Sequence, residues 1–135
     1  ESKAAARVAG DAGYKFLEEN AKKEGIQVTE SGLQYEIVQA GEGACPSIEN
    51  EVTVHYEGTT IDGKVFDSSY ARGEQISFGL TQVIRGWTEG LQLMNPGAKF
   101  KFYIPQELAY GDKGAGADIA PFAALIFTVE LFSFK

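Results

Sequence analysis

The sequence predicts an α+β fold: a half-wrapped antiparallel sheet of five or six strands with one short helix across its concave side, preceded by an N-terminal helix. Three observations carry this. Apolar and polar residues alternate in several short segments between positions 33 and 132, the two-residue period of strands with one buried face. One internal segment, residues 83–94, instead has helical spacing, with Trp87, Leu91 and Met94 at i, i+4 and i+7. Turn signals separate the segments, and sixteen glycines supply many of them. A sheet with one apolar face must bury it, and that helix is the long apolar object available inside the domain.

The chain opens on a predicted helix from residue 1 to about residue 24, with Ala5, Val8, Ala12 and Phe16 as a thin apolar stripe. Lys15–Glu19, Glu18–Lys22 and Glu19–Lys23 are opposite charges four apart. Lys22 and Lys23 suit the negative end of the helix dipole, and Gly25 supplies a stop. Such a stripe fits either the domain or another helix; the abrupt start without a capping box favours the second. The expected division is 1–30 as helix and linker, the end of a longer helical and dimerising region, and 31–135 as the domain.

After the polar joint QVTESG, Leu33, Tyr35 and Ile37 form the inward positions of a first strand. Residues 52–60 give a second, the Asp-Gly of IDGK at 61–64 a hairpin, and residues 65–68 its return. Ile76 and Phe78 mark a short strand. The helix follows, ended by Pro96-Gly97. Phe100, Phe102 and Ile104 alternate with Lys99, Lys101 and Tyr103. A glycine-rich loop spans 109–121, and Leu125, Phe127, Val129 and Leu131 form the inward face of the last strand.

Composition excludes several functions. A net charge of −7 would repel a phosphate backbone, so no nucleic acid is expected. No apolar run approaches the roughly 20 residues of a membrane span, and no secretory leader is visible. The chain opens on Glu1, so that last absence says nothing about compartment. Cys45 and His55 are each alone, too few soft ligands for zinc. Cys45 reads as a loop thiol and His55 as a solvent-side or hydrogen-bonded strand residue. No G-x-S-x-G elbow accompanies His55. Gly111, Gly114 and Gly116 lack phosphate-loop spacing, and Asp112 and Asp118 would repel an anion. A flap over a pocket is the better reading of that loop.

The inward residues Tyr56, Phe66, Val83, Ile84, Trp87, Tyr110 and Phe127 are rich in aromatics and lie mostly at strand ends or in loops. That placement fits a cleft at one rim of the sheet; an ordinary aromatic core is the other reading. Tyr56 and Tyr110 carry hydroxyls that need partners when buried. Asp67 follows Phe66 directly, and a carboxylate beside so much apolar surface needs pairing. Arg72 is one partner for it; a turn cap onto Ser69 or the Tyr70 backbone is the alternative use of Asp67.

HYEGTTIDGKVFDSS, VIRGWTEGLQLM, YIPQELAYG and LIFTVELFSF, in this order over residues 33–135, resemble the FKBP-type peptidyl-prolyl cis-trans isomerases. The helix and FLEENAKKEGIQVTESGLQY are similar to the linker and domain entry of the dimeric, macrophage-infectivity-potentiator-like members of bacterial envelopes. The resemblance implies an antiparallel half-barrel around one short helix, in agreement with the reading above. It implies catalytic positions at Asp67, Tyr110, Tyr56 and Phe127, and substrate-binding positions at Phe66, Arg72, Ile76, Val83, Ile84, Trp87 and Ile119. Trp87 would be the pocket floor, with Arg85 and Glu89 pointing away. Asp118-Ile119-Ala120-Pro121 stands where the family often carries an apolar-Ile-Pro-Pro run, and Ile76 where an aromatic ring is common. The implied partners are proline-containing polypeptides and tacrolimus- or rapamycin-type macrolides, with no metal or organic cofactor. The implied location is the bacterial periplasm or envelope. A chaperone-like module that binds proline segments with little turnover is the competing function.

Overall fold

The structure is a computed structural model that describes residues 13–61, 63–109 and 124–135. The helix α1 (residues 13–20) leads into β1 (Ile26–Val28), β2 (Gln34–Gln39), β3 (Glu51–Thr60), β4 (Val65–Ser68), α2 (Ser69–Arg72) and β5 (Ile76–Gly79). Then come α3 (Arg85–Leu91), β6 (Lys99–Ile104), a 3-10 turn (Gln106–Leu108) and β7 (Leu125–Phe134). All pairings are antiparallel, in the order β1-β2-β6-β7-β3-β4, with β5 on the first half of β3. The expected sheet around a short helix is therefore present. It has seven strands, one more than the six segments counted in the sequence, and β1 is the addition.

Register assigns the two faces. Tyr35, Phe102, Phe127 and Gly58 stand in one row across β2, β6, β7 and β3, and Ile37, Phe100, Val129 and Tyr56 in another. Both rows look towards α3, where Trp87, Leu91 and Met94 join Phe100, Phe102, Ile104, Leu125 and Val129 in the main core. Ile37, read as inward, is exposed because the helix does not reach that end of β2. The hairpin expected at IDGK closes as read: Gly63 takes φ 92°, and Thr60 N–H donates to Lys64 O at 3.0 Å.

The next row beyond the first, Gln34, Tyr103, Ile126 and Thr59, faces the other way. Sequence alternation makes Tyr103 an outward residue, yet it is buried, because α1 lies over it. Leu17 and Ala124 pack beside it, and the Phe16 ring is 6.0 Å from it. The end of the helix thus rests on the domain, and the deeper contact is Leu17 rather than Phe16. Ala5, Val8 and Ala12 lie outside the described residues. A pair of buried amides fixes this contact: Asn20 Nδ2 donates to Gln34 Oε1, and Gln34 Nε2 to Leu17 O, both at 2.8 Å. The helix ends at residue 20 rather than 24, as Lys22 N–H and Lys23 N–H tighten onto Glu19 O and Asn20 O three residues back. Among the described residues, no helix is long and apolar enough to cross a membrane.

Candidate active site

Two glycines seat α3. A Cβ on Gly86 would stand 2.6 Å from Ile104 Cγ2, and one on Gly90 2.6 Å from Phe102 Cε1. The helix therefore lies closer to β6 than any side chain at those positions would permit. Thr88 Oγ1 donates to Leu80 O at 2.6 Å and ties the helix to the turn before it. Trp87 then projects to the rim of the core. Its ring meets Tyr56 and Phe127 nearly edge-on, each at 5.1 Å, and Phe78 at 5.2 Å. Such edge-to-face contacts match the electrostatics of aromatic rings. The indole N–H is buried with no acceptor among the described residues, and ring packing orients this side chain.

The polar wall comes from β3, β4 and α2. Tyr56 Oη donates to Asp67 Oδ2 at 2.6 Å, and Arg72 Nη1 pairs with Asp67 Oδ1. Arg72 Nη2 also donates to Tyr56 Oη at 3.2 Å, and its guanidinium lies over the Tyr56 ring. The helical turn α2 makes this possible. Ser68, not Asp67, caps it by accepting from Ala71 N–H at 3.2 Å, which frees the Asp67 carboxylate for the cleft. Ser69 Oγ accepts from Tyr56 N–H at 2.7 Å and so fastens α2 to β3. His55 Nδ1 bonds the same hydroxyl at 2.8 Å, which accounts for this histidine as the hydrogen-bonded strand residue expected.

Charge follows from these contacts. Burial alone would raise the Asp67 pKa, but the Tyr56 hydroxyl and the Arg72 guanidinium outweigh it and hold the carboxyl below its ordinary value. Tyr56 moves the other way, through burial first and then the neighbouring carboxylate. Near neutral pH the pair is a phenol donating to a carboxylate.

Trp87 closes the bottom of a cleft of about 440 Å³ whose walls carry Tyr56, Phe66, Asp67, Ile76, Val83, Ile84 and Phe127. Gly58 shapes one side. A Cβ there would stand 2.6 Å from Phe127 Cε1 and 2.7 Å from Phe66 Cζ, so its absence lets those two rings meet at right angles, 5.5 Å apart. A family model described as FKBP-type peptidyl-prolyl cis-trans isomerase matches residues 43–132, which include all of these positions. The chain belongs to the FKBP-type peptidyl-prolyl cis-trans isomerases. A second model, for the domain amino-terminal to such isomerases, matches residues 1–37.

Individual relatives agree. The FKBP-type 22 kDa peptidyl-prolyl cis-trans isomerase of Escherichia coli K12 is 59% identical over 119 residues, covering 88% of this chain and 58% of that protein. Outer membrane protein MIP of Legionella longbeachae is 49% identical over 126 residues, covering 93% and 53%. The crystal structure of FkpA from Escherichia coli superposes with a TM-score of 0.95 at 45% identity, covering 99% of this chain and 62% of that one. The chain spans about half the length of the curated relatives it matches.

Eight of the eleven FKBP positions picked from the sequence line one cleft. Arg72 stands behind Asp67, and Tyr110 and Ile119 lie outside the described residues. Arg85 and Glu89 face a separate, smaller groove, away from the cleft as expected. Sequence reading missed two lining residues, Phe78 and Gln82. Phe78 had a signal, since it sits two residues after Ile76 on β5 and shares its face. Gln82 had none: its carboxamide reaches the wall by folding back on a turn.

Proposed function

We propose that this chain accelerates rotation about Xaa-Pro bonds in folding polypeptides, without covalent chemistry. The observation that carries this is the Trp87-floored cleft bounded by a carboxylate that Tyr56 and Arg72 hold ionised. Rotation must break amide resonance against a barrier of about 20 kcal/mol and takes tens of seconds or more unaided. The twisted amide has lost conjugation and its carbonyl is less polar. An apolar cleft therefore disfavours the planar state more than the twisted one. An acceleration of about four to six decades needs roughly 5–8 kcal/mol.

In this reading Trp87, Phe66, Ile76, Val83, Ile84 and Phe127 enclose the prolyl ring. Asp67 acts on the twisting amide electrostatically, not as a base, since its lowered pKa makes it a poor proton acceptor. Tyr56 and Arg72 orient it. The Ile84 N–H, which finds no acceptor among the described residues, would hold a substrate carbonyl. Tyr110 is assigned a second such bond from the family resemblance.

The same reading extends to the whole protein. Residues 1–30 would be the end of a helical, dimer-forming region and residues 31–135 the isomerase domain, a division supported by the two family models. A bacterial periplasmic or envelope location is supported by the relative named as an outer membrane protein. Tacrolimus- or rapamycin-type macrolides would occupy the same cleft.

The test is NMR exchange on a short Xaa-Pro peptide with wild type and Asp67→Ala. Wild type is expected to speed cis–trans exchange and the variant to lose most of that gain. Peptide binding with no faster exchange would overturn the isomerase reading in favour of a chaperone-like binding module.

A further inference from the structure

The side chains around the cleft differ in which donors they still have to offer. The Tyr56 hydroxyl proton is committed to Asp67, and the Trp87 N–H is buried beneath the surface. Gln82 is different. Its Oε1 accepts from Gly79 N–H at 3.0 Å, while its own N–H donates to Gly79 O at 3.0 Å. The exposed side chain is thereby clasped to the turn between β5 and α3. Its Nε2 has no acceptor among the described residues, and the side chain lines the cleft. Gly79 leaves room for the clasp; a methyl group there would stand 3.3 Å from Gln82 Oε1.

A polypeptide around a proline is rich in acceptors, because proline contributes a carbonyl and no N–H. Its recognition therefore calls for donors on the wall. We propose that the Gln82 carboxamide is a substrate-recognition group, with Nε2 donating to a main-chain carbonyl that flanks the proline. This rests on the reading of the cleft as a site for proline segments. Gln82 and Ile84, two residues apart on one turn, would then hold two carbonyls of the same extended chain.

The test uses a blocked Xaa-Pro dipeptide and two peptides extended by one residue, one towards each end. Binding is followed by NMR at the Trp87 indole, and exchange is measured separately. Wild type should bind one extended peptide about three- to tenfold more tightly than the other, the range of a single hydrogen bond. Gln82→Glu keeps an oxygen for Gly79 and loses the donor, so the two extended peptides should bind alike. Gln82→Met, uncharged, should do the same. The proposal fails if either variant keeps the preference, or if all three peptides weaken equally, which would mean a structural role for the turn. A preference that depends on Gln82 with no faster exchange would refute the isomerase reading and leave this one standing.

Discussion

Tyr56 touches Asp67 and Trp87 at once: its hydroxyl is 2.6 Å from the Asp67 carboxylate, and its ring meets the indole edge-on at 5.1 Å. One side chain therefore joins the charged wall of the cleft to its floor. Tyr56→Phe separates the two duties. The ring contact survives and the bond to a charged acceptor, worth roughly 1.5–3 kcal/mol, is lost. Exchange catalysis should fall several-fold with the fold intact, and the Asp67 carboxyl should titrate at higher pH in the variant by carbon-detected NMR. Unchanged catalysis would remove Tyr56 from the mechanism.

Acid should act through the same carboxylate. Its folded pKa is depressed, so its contribution to stability is complete above the unfolded value of about 3.9 and is lost as pH falls through the lower folded value. Catalysis should be flat from neutral down to the ordinary carboxylate range and decline only below it. A pH–rate profile that bends near pH 6 would show that another group governs the reaction.

On the outer face Tyr70 donates to Glu130 at 2.9 Å, and burial together with that carboxylate pushes its pKa up to about 12. A raised pKa adds stability that is present below the unfolded value of about 10 and is lost as pH rises through the folded one. Ultraviolet titration should show a late-ionising tyrosine, and Glu130→Gln should bring it down.

Gly90→Ala tests the seating of α3. Its new methyl group would collide with the Phe102 ring in the core, at a cost of about 1–3 kcal/mol. Urea unfolding should report the loss, and peptide binding should weaken with it because Trp87 rides on the same helix. An alanine that is neutral for both would mean that the helix is free to move off the sheet.

Leu17→Ala tests the helix dock. The side chain is 6% exposed against Tyr103 and Ala124, and its truncation should cost about 2–4 kcal/mol. Hydrogen exchange should accelerate at residues 13–20 far more than in β6. Equal protection in variant and wild type would show that the amides of Asn20 and Gln34 hold the helix alone.

Much of this was legible in the chain. Trp87 and Leu91 read as a helix, and Phe100 to Ile104 as a strand, because one buried face imposes a period. The helix stops at Leu91, though, and Met94 reaches the core from the turn after it. Asp67 and Arg72 read as a candidate pair because a carboxylate among aromatics needs a partner, and the resemblance added Tyr56 to them. What failed depends on contacts distant in sequence. The three residues of β1 carry no period of their own and become a strand by pairing with β2. Tyr103 alternates as an outward residue and is buried by a helix more than eighty positions earlier. Leu17 and Phe16 are adjacent and both apolar, so spacing could not say which faces the sheet. Ser69, which fastens α2 to β3, is one serine of a pair until the fold shows which hydroxyl lies inside.

Gly58 carries a consequence for how this cleft can change. Across the sheet its row reads tyrosine, phenylalanine, phenylalanine and then nothing but a hydrogen. One wall of the hollow is thus set by the strands, while its floor rides on α3. One added carbon at Gly58 would press on the Phe66 and Phe127 rings that wall the hollow, from the strand that also carries Tyr56.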